Sequence, residues 1–132
     1  MLADEVRGCS ALAMAGGDNE ILMGDKSRAE LLGIVRRGEV VSATDALLCI
    51  VLNEPDNRWV EQVVLECLEA GKTEAVRQLA VTCVGHIVRL HGELVDSRLR
   101  RKLDEYAKDP IYAGLVEAAR DDIEVYERRG PF

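Results

Sequence analysis

Along residues 74–91, EAVRQLAVTCVGHIVRLH, apolar side chains recur at Val76, Leu79, Ala80, Cys83, Val84 and Ile87. These steps of three and four residues follow the turn of an α-helix and predict one broad buried face. Read in the same way, the chain from Asp25 onward divides into six helices, at about 27–37, 42–53, 57–70, 74–91, 97–108 and 110–128. The divisions carry capping chemistry. Ser27 with Glu30 forms a capping box and Ser42 with Asp45 resembles one, while Asp56, Thr73 and Asp96 or Ser97 can cap the next three helices. Asp109 before Pro110 supplies an N-cap and a first-turn proline, and Gly38, Gly71, Gly92 and Gly130 fall where helices should stop.

The apolar pattern also repeats. Ala43, Leu47 and Val51 map after 36 residues onto Leu79, Cys83 and Ile87, and after 36 more onto Leu115, Ala119 and Ile123. Leu31, Cys67 and Leu103 share that offset on the preceding helices. Three helical hairpins follow, each unable to bury its own face and each covered by its neighbour. The Trp, Leu-Gly and Tyr positions of tetratricopeptide repeats and the TPLH signature of ankyrin are missing, so short HEAT-type hairpins fit best. Hydrophobic residues are 48% of the 132 but aromatics only 4%, which suits closely packed helices of Leu, Val, Ala, Ile and Cys and disfavours an all-β fold.

Charge changes the picture of partners. A formal net charge of -7 argues against nucleic acid, whose phosphates need excess Lys and Arg, and favours a basic protein. The one dense basic run, Arg98, Arg100, Arg101 and Lys102, is offset by Asp96, Asp104, Glu105 and Asp109 and reads as a solvated, ion-paired face. No apolar run reaches the roughly 18 residues of a membrane span. Residues 1–25 read as a loosely ordered or weakly helical extension to a helical repeat domain at 26–132. The acidic Asp4 and Glu5 do not suit a signal peptide. Cys9, Cys49, Cys67 and Cys83 form no CxxC pair, and three lie on apolar stripes, so they read as small buried hydrophobes in a reducing compartment, the cytoplasm.

Chemistry-bearing residues concentrate in CVGHIVRLHG, positions 83–92. At about 100° per residue, His86 and His91 diverge by roughly 140° and cannot share one metal. Cys83 lies in the buried stripe, without further ligands or an accessible setting for a nucleophile. Adjacent Asp121 and Asp122 also diverge by about 100°, which disfavours a paired-carboxylate site. The reading is therefore non-enzymatic, with no metal or cofactor. Gln78, Thr82, Gly85 and Arg89 lie opposite the apolar stripe with His86 at its margin, and the repeat offset places Gly85 and His86 beside Asp121 and Asp122. Two readings stay open: a structural ladder from His86 or Arg89 to Asp121 or Asp122, or an exposed partner-binding site built from these residues. A mid-helix glycine costs about 1 kcal/mol relative to alanine, so Gly85 implies close approach of a helix or a partner. Trp59 either closes the core edge between repeats or anchors a partner. Tyr106, Tyr112 and Tyr126 read as core residues with hydroxyls reaching the surface.

The segments RWVEQVVLECL, VRQLAVTCVGHIVRLHG and DDIEVY resemble a group of small bacterial HEAT-repeat-like proteins with a W, GH-x-x-R-x-H and DDI pattern, carried here by Trp59, Gly85, His86, Arg89, His91, Asp121 and Asp122. The likeness covers about residues 26–128. It implies a right-handed α-solenoid and a protein-binding role, most concretely an immunity or antitoxin protein that occludes a toxin. The alternatives are a self-associating scaffold and, less favoured, an enzyme using His86 and Asp122.

Overall fold

Serine 27 accepts the Glu30 N–H at 3.2 Å while the Glu30 carboxylate accepts the Ser27 N–H at 2.9 Å, so the first helix starts with a complete capping box. The computed structural model describes residues 26–127, and within them the chain forms six α-helices and no strand. They are α1 (Arg28–Arg37), α2 (Val40–Asn53), α3 (Asn57–Ala70), α4 (Glu74–His91), α5 (Ser97–Tyr106) and α6 (Pro110–Asp122), which runs on into a π-helical turn, Ile123–Glu127. The expected 1–25 extension and the stop at Gly130 lie outside the described residues. Asp56, Thr73, Asp96 and Asp109 each accept a backbone N–H at the start of α3, α4, α5 and α6.

One start differs from expectation. Helix α2 begins at Val40 with Glu39 as its N-cap, not at Ser42. Gly38 takes φ 76, which reverses the chain at once, and the Ala43 N–H bonds the Glu39 carbonyl at 2.7 Å to close the first turn early.

The helices bury one continuous apolar cluster. Helix α4 is its axis: it packs against α2, α3 and α6, whereas α1 packs chiefly on α2 and α3 also touches α5. The buried positions repeat, but with a corrected register. Ala43, Ala46 and Ile50 correspond after 37 residues to Ala80, Cys83 and Ile87, and after 36 more to Val116, Ala119 and Ile123, all buried. Leu79 and Leu115, placed in the core by a uniform 36-residue offset, are only partly buried at its edge. Leu31, Cys67 and Leu103 are buried at the expected 36-residue spacing.

Polar clamps join the layers. The Tyr106 hydroxyl donates to the Leu68 carbonyl at 2.6 Å, tying α5 to α3. Arg77 donates to the Gly71 carbonyl at 2.7 Å and the Tyr112 hydroxyl at 3.2 Å, tying α4 to α6. The rings of Tyr106 and Tyr112 meet edge to face, 4.6 Å between centroids. Both hydroxyls meet protein partners in part-buried bonds, and Tyr126 is exposed and not core. In the basic run Arg98 pairs with Asp96, Lys102 with Glu105, and Arg100 reaches across to Glu127. Cys67 and Cys83 are free and buried, whereas Cys49 is disulfide-bonded, which corrects the reading of every cysteine as a reduced filler. Among the described residues no helix is long and apolar enough to cross a membrane.

Candidate functional site

Helix α4 meets α6 where glycine removes a side chain. A Cβ placed on Gly85 would stand 2.6 Å from Asp122 Oδ2 and 3.3 Å from its Cβ and Cγ, so the carboxylate of α6 fills the space above the α4 backbone. One turn along α4, Arg89 Nε lies 3.9 Å from Asp122 Oδ2, and Arg89 Nη2 donates to Nδ1 of His86. Accepting at Nδ1 leaves the imidazole proton on Nε2. Burial, followed by the Arg89 charge, pushes the His86 pKa below its ordinary value, and Asp122 offsets part of this. The imidazole is therefore neutral at pH 7. With both partners about a third exposed, the Arg89–Asp122 pair contributes no more than about 1 kcal/mol.

Gly85, His86, Arg89 and Asp122 thus form one cluster. Gln78 and Thr82, half-buried, continue the same edge of α4 toward its N-terminus. Asp121 is exposed and turned about 100° from Asp122 around α6, outside the cluster. A uniform 36-residue offset sets Gly85 opposite Asp121, whereas the residue packed on it is Asp122, one position later.

Trp59 stands apart. At the start of α3 it is half-buried against the core, with the Arg28 guanidinium carbon 4.8 Å above its ring. Arg28 is held there by Glu54 and Asp56. A cavity of about 230 Å³ beside Trp59 is lined by Lys26, Ser27, Arg28, Leu31, Ile50 and Glu54, and none of the other candidates reaches it.

Sequence reasoning passed over Glu61. Only 1% exposed, it accepts the Val95 N–H at 2.8 Å and the Asp96 N–H at 2.7 Å, pinning the α4–α5 connection to α3. Burial raises its pKa, and the two backbone N–H groups hold that rise in check. A signal was present: Glu61 sits three, four and seven residues before Val64, Leu65 and Leu68, a charge set inside a buried stripe. His91 carries a buried Nε2 with no hydrogen-bond partner among the described residues, and burial lowers its pKa.

The thiols are poorly placed for chemistry. Burial drives the Cys67 pKa up to about 12 and that of Cys83 also upward, which keeps both protonated at neutral pH. Among the described residues no group of three His, Cys, Asp or Glu side chains is placed to hold a metal ion. In comparison with known proteins, no family model matches the chain, and no curated protein or solved structure matches it.

Proposed function

We propose that the chain is a non-enzymatic protein-binding module: a right-handed stack of three HEAT-like hairpins whose second helices, α2, α4 and α6, present the binding face. The 37- and 36-residue spacing of buried positions supports the stack. The observation that carries the binding reading is the row left partly open across those helices. Val41, Leu48 and Leu52 of α2 share the register of Gln78, Gly85 and Arg89 of α4 and of Gly114 and Asp121 of α6 with Val125 of its π-helical turn. Val41 is 67% exposed, Leu52 42% and Val125 45%, so exposed apolar side chains lie beside polar ones along this row.

The far end of α6 bears on the scaffold alternative. Val81, Val84 and Val88 of α4 are buried, whereas the residues 36 positions later are Glu117, Arg120 and Glu124, all exposed. A stack that ends on charge resists adding another repeat there, as terminal capping repeats do. This favours a discrete binder over open-ended assembly through that end. Exposed Val40 and Val41 keep self-association through α2 as the second reading.

The most concrete form of the binder is an immunity protein that covers a basic toxin domain, which rests on the sequence resemblance and the net charge of -7. Affinity purification of the tagged chain from its native host, followed by mass spectrometry, tests it. The expected result is one basic protein, lost on Arg89→Glu and retained on the control Arg37→Glu in α1. Recovery of the chain alone, as an oligomer indifferent to Arg89→Glu, transfers the weight to self-association.

A further inference from the structure

The two glycines within helices α4 and α6 have different surroundings. Gly85 is accounted for inside the molecule, because Asp122 occupies the position of its missing side chain. Gly114, in the interior of α6, is exposed, and among the described residues a Cβ built on it would meet nothing within 4 Å. Mid-helix glycine is costly relative to alanine, and among the described residues nothing packs against this one. What surrounds it is a seam. Ile111, Gly114, Ala118, Asp121 and Val125 recur at steps of three, four, three and four residues, the alternation by which one helix meets another. All five are exposed, Ile111 at 55% and Val125 at 45%.

Charge selects the occupant. Asp121 lies within the seam and Glu117 borders it, while Arg120, the single base of α6, is bonded to Asp104 of α5. Two copies of this face brought together would set these carboxylates against one another, a like-charge arrangement that disfavours self-pairing. Small residues at the centre allow close backbone approach, and apolar side chains at both ends supply anchors.

We infer that the exposed face of α6 receives an amphipathic α-helix of a different protein, with Lys or Arg beside its apolar edge and one basic side chain directed at Asp121. This rests on the protein-binding reading and names the element of the partner that α6 takes. The partner helix fills the space over Gly114 and Ala118 between the anchors Ile111 and Val125.

The probe is a synthetic helical peptide of about three heptads, with Leu at the seam positions, Lys at the flanks and one central Arg. A counterpart carries Glu in place of every Lys and Arg. Binding to the full chain is read by fluorescence anisotropy. The basic peptide is expected to bind, and the affinity falls about tenfold or more both for Asp121→Lys and for Gly114→Arg, which adds bulk and like charge to the seam. Arg37→Glu leaves it unchanged, and circular dichroism melting confirms that each variant folds. Equal binding of the Glu peptide, or binding indifferent to both α6 substitutions, overturns the inference. Sedimentation showing a dimer abolished by Asp121→Lys overturns it in favour of a second copy. A native partner lost on Arg89→Glu but unaffected at Asp121 and Gly114 leaves the binding function standing and sinks the helix-docking mode alone.

Discussion

Asp122 rests on Gly85: the carboxylate of α6 takes the place of a side chain that α4 lacks, so that a Cβ there would come within 2.6 Å of Oδ2. The contact sets how closely the two helices approach, and it holds Asp122 where Arg89 can reach it. Filling the gap separates the helices. Gly85→Leu is expected to destabilise the fold by about 1–3 kcal/mol, in the range of overpacked cores, despite the better helix propensity of leucine. Urea unfolding measures it, and an unchanged midpoint would show that α6 is not seated on α4 as described.

The opposite sign is expected at Gly114. Its surroundings are open and its helical backbone suits any L-residue, so Gly114→Ala adds helix propensity without a clash. Stability should rise by up to about 1 kcal/mol in the isolated protein. The pair of substitutions separates a glycine required by the fold from one that the fold does not require. If Gly114→Ala destabilises, an unrecognised contact covers that face and the docking argument loses its basis.

Much of this architecture was legible in the chain because its signals are local. The capping box at Ser27 and Glu30 and the caps at Asp56, Thr73 and Asp109 each act within one turn, and short-range spacing identifies them. The offset between α2 and α4 was not legible, since 36 and 37 residues both bring apolar side chains into line; only packing decides that Ala43 matches Ala80 and not Leu79. The contact of Gly85 with Asp122 was not legible either: the 36-residue step from α4 to α6 points at Asp121, and only packing brings the neighbouring carboxylate onto the glycine. Trp59, read either as closing the core edge or as anchoring a partner, lies at the α1–α3 edge under Arg28, away from the Gly85 cluster. Glu61 was passed over because its partners are backbone N–H groups 34 and 35 residues away, which no side-chain pattern encodes.

Glu61 should be costly to replace. Glutamine keeps one carbonyl oxygen but turns an NH₂ toward a donor, and Glu61→Gln is expected to destabilise by about 1–3 kcal/mol. Amide hydrogen exchange at Val95 or Asp96 should accelerate ahead of the helices, because one of those two N–H groups loses its acceptor. The pH dependence has a definite sign. A carboxyl whose folded pKa is raised above its ordinary 4.5 binds more protons in the folded state, so its contribution is full below 4.5 and is lost as pH rises through the folded value. The wild type should therefore lose stability relative to Glu61→Gln as pH climbs through that window; a difference that grows with pH would contradict a raised pKa.

Histidine 86 titrates in the other direction. Burial and the Arg89 charge lower its folded pKa from the ordinary 6.5, and burial alone lowers that of His91. Between the folded and unfolded values the unfolded chain binds more protons, so the stability these groups contribute is present above 6.5 and is lost as pH falls through the folded values. Protonation also turns Nδ1 of His86 from an acceptor for Arg89 into a donor, placing two cations beside the single carboxylate of Asp122. His86→Gln removes the titration but retains a polar side chain, and its unfolding midpoint should decline less than that of the wild type when the pH is taken below 6.5. His91→Gln should remove a separate share of the decline, and the double variant the sum of both, because the two rings diverge by roughly 140° around α4. A wild-type curve that stays level through this range, or one that the His86 substitution leaves equally steep, would show that the ring is not held neutral against Arg89.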